Sequence, residues 1–374
     1  MKRDNKIVDL FFELLRSGLW EQDVALQRFE SLDFESVYKL AYEQTVEGLV
    51  ASGLNHVVDT RIDKAQVLSF MKRSLGLEKR NKRLDDFIAR LVQSVKKEGL
   101  QLVLMRGQAV ARCYSHPEWR TPGDIDFLLA PEDYTRVSDI LSSKAESVEI
   151  GEFYTHDTSF TFKSLIVELH GTLRCGLSSK MDRVLDGLQQ EILTGGHQRI
   201  WDDDGVEVFL PEANIDTLLI FTHFLKHFYK GGVGLRQICD WCRVLWAFRD
   251  TIDRKRLEDN LRRMRILEVW KGFAAYAVTY LGMPVEAMPL YDSADCWKRK
   301  ADRIQAFLLE VGNMGNLRDM SYYGKYPFLV RKTISLARRV GDLFRHASIF
   351  PVASLRFFPK MMFNGLRSAA LGEG

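Results

Sequence analysis

Apolar residues recur at helical spacing through most of the first hundred positions. Ile7, Leu10, Phe11, Leu14 and Leu15, then Val37, Leu40 and Ala41, predict several short helices packed on one another, with breaks at Gly18 and around Ser31–Asp33. Leu84, Phe87, Ile88, Leu91, Val92 and Val95 keep the i, i+3, i+4, i+7 rule and predict one long helix, or two abutting ones, over 62–98, ended by Gly99. The charges just before and between them, Glu78 to Arg83, read as a solvated helix face.

The period then shortens. Leu102 to Met105 has the length of a buried strand, and Phe127-Leu128-Leu129 is a second such run. Val148–Ile150, Ser159–Phe162, Ile166–His170 and Val206–Leu210 predict further strands, with Phe160 and Phe162 alternating about Thr161. Pro131-Glu132-Asp133 opens a helix to about Ser142, with Pro in the first turn and acids at the positive end of the helix dipole. Pro211-Glu212 opens a longer one to about Tyr229, and helices continue over 254–310 with a break at Gly282-Met283-Pro284. The fold class predicted is α+β, a small mixed sheet flanked by helical regions. The divisions are 1–98 (N-terminal helical), 99–210 (sheet core), 211–320 (C-terminal helical) and 321–374, a basic amphipathic tail.

Composition narrows the function classes. A net charge of +3 gives no global argument for nucleic-acid binding, and no apolar run approaches the length of a membrane span. The first residues lead into an amphipathic segment bearing Asp9 and Glu13 rather than a signal-peptide core. Five cysteines, an odd number, argue against a disulfide framework and fit a reducing cytoplasm. Cys239 and Cys242 have redox-motif spacing, but they fall in a helical pattern with Leu235, Ile238 and Leu245 and read as buried thiols. The tail sets Arg331, Lys332, Arg338, Arg339, Arg345, Arg356, Lys360 and Arg367 among Phe, Leu and Ile. Such a stretch either packs on the body or makes peripheral contact with an anionic membrane.

Candidate chemistry concentrates at residues 101–129. Arg106-Gly107 ends the first strand and Gln108 begins a helix, a junction whose free N–H groups suit a phosphate. Pro122-Gly123 then precedes Asp124-Ile125-Asp126. In a strand the two aspartates project to one face, and adjacent carboxylates repel unless a cation lies between them. Oxygen ligands of this kind suit Mg²⁺ or Mn²⁺ completed by substrate phosphates. A second acidic pair, Asp202 and Asp204, sits in Trp-Asp-Asp-Asp-Gly and reads as a solvated turn.

Leu104-Met105-Arg106-Gly107, Tyr114, Pro117, Arg120 and Asp124-Ile125-Asp126-Phe127-Leu128-Leu129 resemble the uncharacterised nucleotidyltransferase family of the DNA polymerase β-like superfamily. The resemblance covers roughly residues 78–250, with Arg106 where Lys is usual and Gln108 where Ser or Gly is common. It implies a nucleotidyltransferase core that moves a nucleoside monophosphate from a nucleoside triphosphate to an acceptor, a hydroxyl of unidentified origin, with release of pyrophosphate. Asp124 and Asp126 would hold the metal, joined by Glu168 as the third carboxylate. Glu168 lies on the strand Ile166–His170, where it shares a face with His170; the resemblance includes this acid, apolar residue and His, and His170 reads as a supporting residue. Arg106, Gly107, Gln108 and Arg120 would contact the nucleotide and its phosphates. His223 and His227, at i and i+4 on one helix, with Arg236 and Asp240 match a second motif block and read as supporting residues; Phe224 stands where a zinc-protease motif needs Glu. By analogy such relatives belong with surface-polysaccharide biosynthesis, which a cytoplasmic, membrane-proximal protein would suit.

Three other readings fit parts of the pattern. A catalytically silent nucleotide-binding or regulatory protein would keep the scaffold without Mg²⁺-dependent turnover. A metal-dependent glycosyltransferase could use the Asp-x-Asp pair, but would want a nucleotide-binding parallel sheet before it, where this chain is mainly helical. A polymerase or tailing enzyme would need a basic groove, and no nucleic-acid partner is expected.

Overall fold

The structure, a computed structural model, describes residues 4–29, 32–151, 156–315, 317 and 326–370. Three helices come first: α1 (Asn5–Trp20), α2 (Phe34–Glu43) and α3 (Glu47–Leu54). Asp4 and Asp33 accept backbone N–H bonds that start α1 and α2. Gly18 does not break the chain as its residue type predicts. It lies inside α1, where a Cβ would come within 1.9 Å of the Leu49 carbonyl oxygen and 2.7 Å of the Gly53 nitrogen on α3. The missing side chain lets two helix backbones touch.

α4 (Lys64–Lys97) is the long helix expected, capped by Asp63. It leads to β1 (Val103–Met105), the short helix α5 (Gly107–Ala111), a 3₁₀ turn at Pro117–Trp119, and β2 (Ile125–Leu128). Then follow α6 (Pro131–Ser142), β3 (Ser147–Ile150), β4 (Asp157–Phe162), β5 (Leu165–His170), α7 (Ser179–Thr194), β6 (Gln198–Asp203) and β7 (Val206–Pro211). The α+β expectation holds, with a sheet of seven strands in the order β3-β4-β5-β2-β1-β7-β6. β2 runs parallel to β5 and antiparallel to β1, while β1 is parallel to β7.

The two faces of the sheet differ. Leu102, Leu104, Ile125, Phe127, Leu129, Val167 and Leu169 point to one side and pack with Leu84, Ile88 and Val95 of α4 and Val137 and Leu141 of α6. Val103, Met105 and Leu128 point to the other, toward a larger core shared by the N-terminal and C-terminal helices. The second face also carries Asp126, Glu168 and His170. Lying over that core are α8 (Ala213–Lys230), α9 (Leu235–Ala247), α10 (Arg254–Met264), α11 (Leu267–Leu281) and α12 (Asp295–Val311). Aromatic rings of α8 and α9, Phe221, Phe224 and Trp241, meet Trp270 and Phe273 of α11 edge-on or tilted, which locks these helices together. The tail forms two helices, α13 (Phe328–Ile349) and α14 (Pro351–Ala370).

Candidate active site

Strand register builds the site. Met105 on β1 lies opposite Asp126 on β2, and Asp126 lies beside Glu168 on β5. Two residues along, Leu128 pairs with His170. Because alternate residues share a face, Asp126, Glu168 and His170 project together toward α8. One ligand atom from each of the three falls within 4.8 Å of the others. Asp124 lies one residue before β2 rather than in it, at the solvent-exposed mouth of the cleft. Although the residue as a whole is open to solvent, its carboxyl is crowded by the cavity walls, and it is raised to about 6 first by repulsion from Asp126, then by that crowding and by Glu168. Of the three predicted carboxylates, Asp126 and Glu168 are neighbours, and His170 rather than Asp124 completes the compact group.

Arg106 occupies the middle. Its backbone has φ 54°, an uncommon value for a non-glycine residue, and Gly107 follows at φ 41° with Asp124's carbonyl oxygen 3.2 Å from where a Cβ would be. This tight turn swings the Arg106 guanidinium back over β2. Nη2 donates to Asp126 Oδ1 at 2.6 Å and lies 3.1 Å from His170 Nε2, while Nη1 donates to His223. His170 Nε2 is also 2.8 Å from Asp126 Oδ1 and 3.4 Å from Glu168 Oε2. Burial pushes His170 down, but bonds to Asp126 and Glu168 outweigh it and the ring is raised overall. Burial likewise pushes Asp126 up, and Arg106 and His170 more than reverse it, so the carboxylate is held below its usual range. His223 and His227 are 3.1 Å apart through their Nε2 atoms. Burial first, then the positive charges of Arg106 and Lys226, hold both low, His227 at about 3. Both rings are neutral, which lets His223 accept from Arg106.

The other predicted residues divide between cleft and scaffold. Arg120 donates through Nε and Nη2 to both oxygens of Asp240, at 2.8 and 2.7 Å, and Tyr114 donates to the same carboxylate at 2.8 Å. This pair is almost wholly buried and ties the loop before β2 to α9. Gln108 turns away from the cleft and donates to Asp85 on α4. Arg236 lies at the cleft wall against Gly123. Its Nη1 donates to the Thr121 carbonyl at 2.9 Å, and its Nε has no hydrogen-bond partner. Arg106, Gly107, Asp124, Asp126 and Arg236 line one cavity, whose far wall is Arg120 and Asp240. Lys226, which sequence reasoning passed over, stands on α8 between the two histidines; its signal was the His-x-x-Lys-His run over 223–227.

The donor set fits a divalent cation of the Mg²⁺ or Mn²⁺ kind. Two register-paired carboxylates and an imidazole converge, a third carboxylate stands beside them with its ionisation suppressed, and Arg106 is the one guanidinium among the described residues bonded into that group.

Comparison with known proteins identifies a family. No curated protein matches the chain. Among solved structures, an antigenic nucleotidyltransferase-like protein from Paracoccidioides brasiliensis aligns at 13% identity over 54% of this chain and 93% of that one, with a TM-score of 0.32, too slight a likeness to bear on the fold. The family described as uncharacterised nucleotidyltransferase matches residues 30–282, well over half of the length. By that match, this chain belongs to the uncharacterised nucleotidyltransferase family.

Proposed function

We propose that the protein is a metal-dependent nucleotidyltransferase that transfers a nucleoside monophosphate from a nucleoside triphosphate to an acceptor hydroxyl. The observation that carries this is the register pairing of Asp126 with Glu168 on adjacent parallel strands, with Asp124 just ahead of β2. Asp126, Glu168 and Asp124, with His170 beside them, would hold Mg²⁺ or Mn²⁺. Once bound, the ion would neutralise phosphate charge and lower the pKa of the attacking hydroxyl. The backbone N–H groups at Gly107 and the guanidinium of Arg236 face the same cavity and would orient the triphosphate. Arg106, released from Asp126, would neutralise charge developing on the phosphates. The acceptor oxygen bonds to the α-phosphorus as the α–β anhydride bond breaks. Pyrophosphate leaves, and the hydroxyl proton passes to Glu168. Arg120 and Asp240 hold the cavity wall, and Gln108 fixes α5 to α4.

The test is incubation with each labelled nucleoside triphosphate, Mg²⁺ or Mn²⁺ and a cell extract, followed by mass spectrometry. Release of pyrophosphate that is lost in Asp126→Asn supports the reading; turnover retained in that variant refutes it. One observation favours a second reading, a nucleotide-binding protein without turnover. Arg106 already neutralises Asp126 and shields His170. Nucleotide binding that needs no divalent cation and yields no product would decide for it.

The site would work at a membrane surface. No helix among the described residues is long and apolar enough to cross a bilayer. On α14, however, Val352, Leu355, Phe363 and Leu366 are 55–66% exposed, and spacings of 3, 8 and 3 set them on one side of the helix. Phe344 on α13 is 71% exposed. From 328 to 370 there are eight Lys or Arg and a single acid, Asp342. An apolar outward stripe flanked by cations suits the interface of anionic lipid. Co-flotation with vesicles of phosphatidylcholine and phosphatidylglycerol, but not of phosphatidylcholine alone, is expected and is lost in Phe363→Asp/Leu366→Asp. Equal recovery with both vesicle types, or none with either, rules it out.

A further inference from the structure

The carboxylates, Gly107 and Arg236 account for one side of Arg106. On the other side of the Arg106–His223 contact lies a second cavity, of about 50 Å³, that the nucleotide reading leaves without a role. Arg106, His170, Thr172, Arg174, His223 and Lys226 face it, and no carboxylate lines it among the described residues. The cavity on the nucleotide side is different in kind, since Asp124, Asp126 and Asp240 line that one.

Lys226 gives the second cavity its character. It is half-buried on α8, and its ammonium makes no hydrogen bond or ion pair among the described residues. Its charge is felt across the cavity at Asp126, His223 and His227. Arg174 is held at its rim by Asp186, through bonds of 2.7 and 2.8 Å. The Cys175 thiol in the wall is pushed up to about 12 by burial and supplies no negative charge. A half-buried ammonium with no acid in direct contact leaves its donors open to an anion that enters the cavity. Thr172 and Arg174 also line a third cavity, an open groove of about 830 Å³ whose wall mixes Ala130, Pro131 and Leu193 with Gln190, Thr194 and the acids Glu132, Asp182 and Asp186, the last two paired to Lys360 and Arg174.

We propose that this second cavity is the acceptor's anchoring site and that the acceptor carries a phosphate ester. The phosphate binds Lys226 beside His170, and the polar body of the acceptor lies in the groove beyond Thr172 and Arg174. This rests on the nucleotidyl-transfer reading for the word acceptor, while the anion site stands on its own geometry. It places the two substrates on opposite sides of Arg106, with Asp126 and His170 between them.

The experiment is calorimetric titration of inorganic phosphate into the full chain, alone and with Mg²⁺ and a saturating non-hydrolysable triphosphate. Saturable binding is expected in both conditions. Lys226→Met weakens it by at least about tenfold, Lys226→Arg largely restores it, and Asp124→Asn leaves it unchanged. Competition between phosphate and the triphosphate analogue overturns the proposal, because the anion is then using the nucleotide's own site. So does an unchanged affinity in Lys226→Met, an absence of saturable binding in the wild type, or acetate binding as tightly as phosphate. Loss of triphosphate binding alone, with the phosphate site intact, would count against the transferase reading and not against this one.

Discussion

Arg106 stands where a cation should be, and removing it tests what the carboxylates are for. The guanidinium bonds Asp126 with side-chain exposures of 15% and 7%, so the pair is buried. Deleting one partner of a buried ion pair costs about 3–5 kcal/mol. His170 remains 2.8 Å from Asp126 after the change, which places Arg106→Ala near the lower figure, about 3 kcal/mol. A chain of 374 residues has an unfolding entropy of about 0.8 kcal/mol/K, so Tm should fall by about 4 °C. Mn²⁺ should then return much of it, because a ligand at a hundred times its Kd contributes about 2.7 kcal/mol. In the wild type the ion must first displace the guanidinium, so the gain is smaller. Differential scanning calorimetry with and without Mn²⁺ gives all four values. An equal Mn²⁺ shift in both proteins, or none in the variant, refutes the view that guanidinium and metal compete for one group of carboxylates.

Other consequences follow from the same geometry. Arg120→Ala should lower Tm by about 4–6 °C, since it orphans the buried Asp240 carboxylate; an unchanged Tm with weakened triphosphate binding would instead make Arg120 a nucleotide ligand. Asp124 is raised to about 6 by Asp126, burial and Glu168. An acid shifted upward favours the fold fully below its unfolded pKa of about 3.9, and that contribution is lost as pH rises through the folded value. Asp124→Asn should therefore raise Tm at pH 8 and leave it nearly unchanged at pH 4, and an equal shift at both pH values would contradict the coupling. Of the five cysteines only Cys296 is exposed, while burial raises the other four thiols. A thiol reagent should titrate one group in the native protein and five after denaturation; two fast native thiols would refute the burial of the other four. Gly18→Ala must push α1 from α3 and costs more than about 1–3 kcal/mol. Gly76→Ala on α4 meets nothing within 4 Å and should stabilise by about 0.5–1 kcal/mol; chemical denaturation that moves both in one direction would refute the close-approach argument.

Local chemistry made much of this legible. Pro131 with its following acids marked the start of α6, and the alternation about Thr161 marked β4, because capping and pleat are set by residues within a few positions. Glu168 and His170 could be placed on one face from their spacing alone. What spacing could not supply was which strand lies beside which. The parallel pairing of β2 with β5 joins residues 42 apart and rests on tertiary packing, so only the family resemblance, and not the spacing, brought Glu168 and its face-mate His170 to the aspartates. Arg120 was drawn toward phosphate by its type, and its burial against Asp240 depends on α9 folding over the loop. Gly18 was read as punctuation because a helix-interior glycine and a helix-ending one look alike until the opposing backbone is in view.

The two faces of the sheet carry an argument of their own. One is packed mainly with apolar side chains under α4 and α6, and its buried Thr158 is satisfied by the Tyr134 hydroxyl. The other could have been the same, since Val103, Met105 and Leu128 already feed a continuous core on that side. Instead its centre holds Asp126, 5% exposed, beside Glu168, His170 and Arg106. Apolar residues of similar volume in place of such a buried charged group are commonly neutral or stabilising by 1–4 kcal/mol. The charges are also poorly matched as a purely structural network: Asp124 is driven toward its neutral form, and Lys226 faces a cavity that no carboxylate lines among the described residues. A chain that keeps a costly, incompletely neutralised group at the middle of its best-packed element, and surrounds it with cavities on both sides, is arranged for a charged ligand rather than for stability.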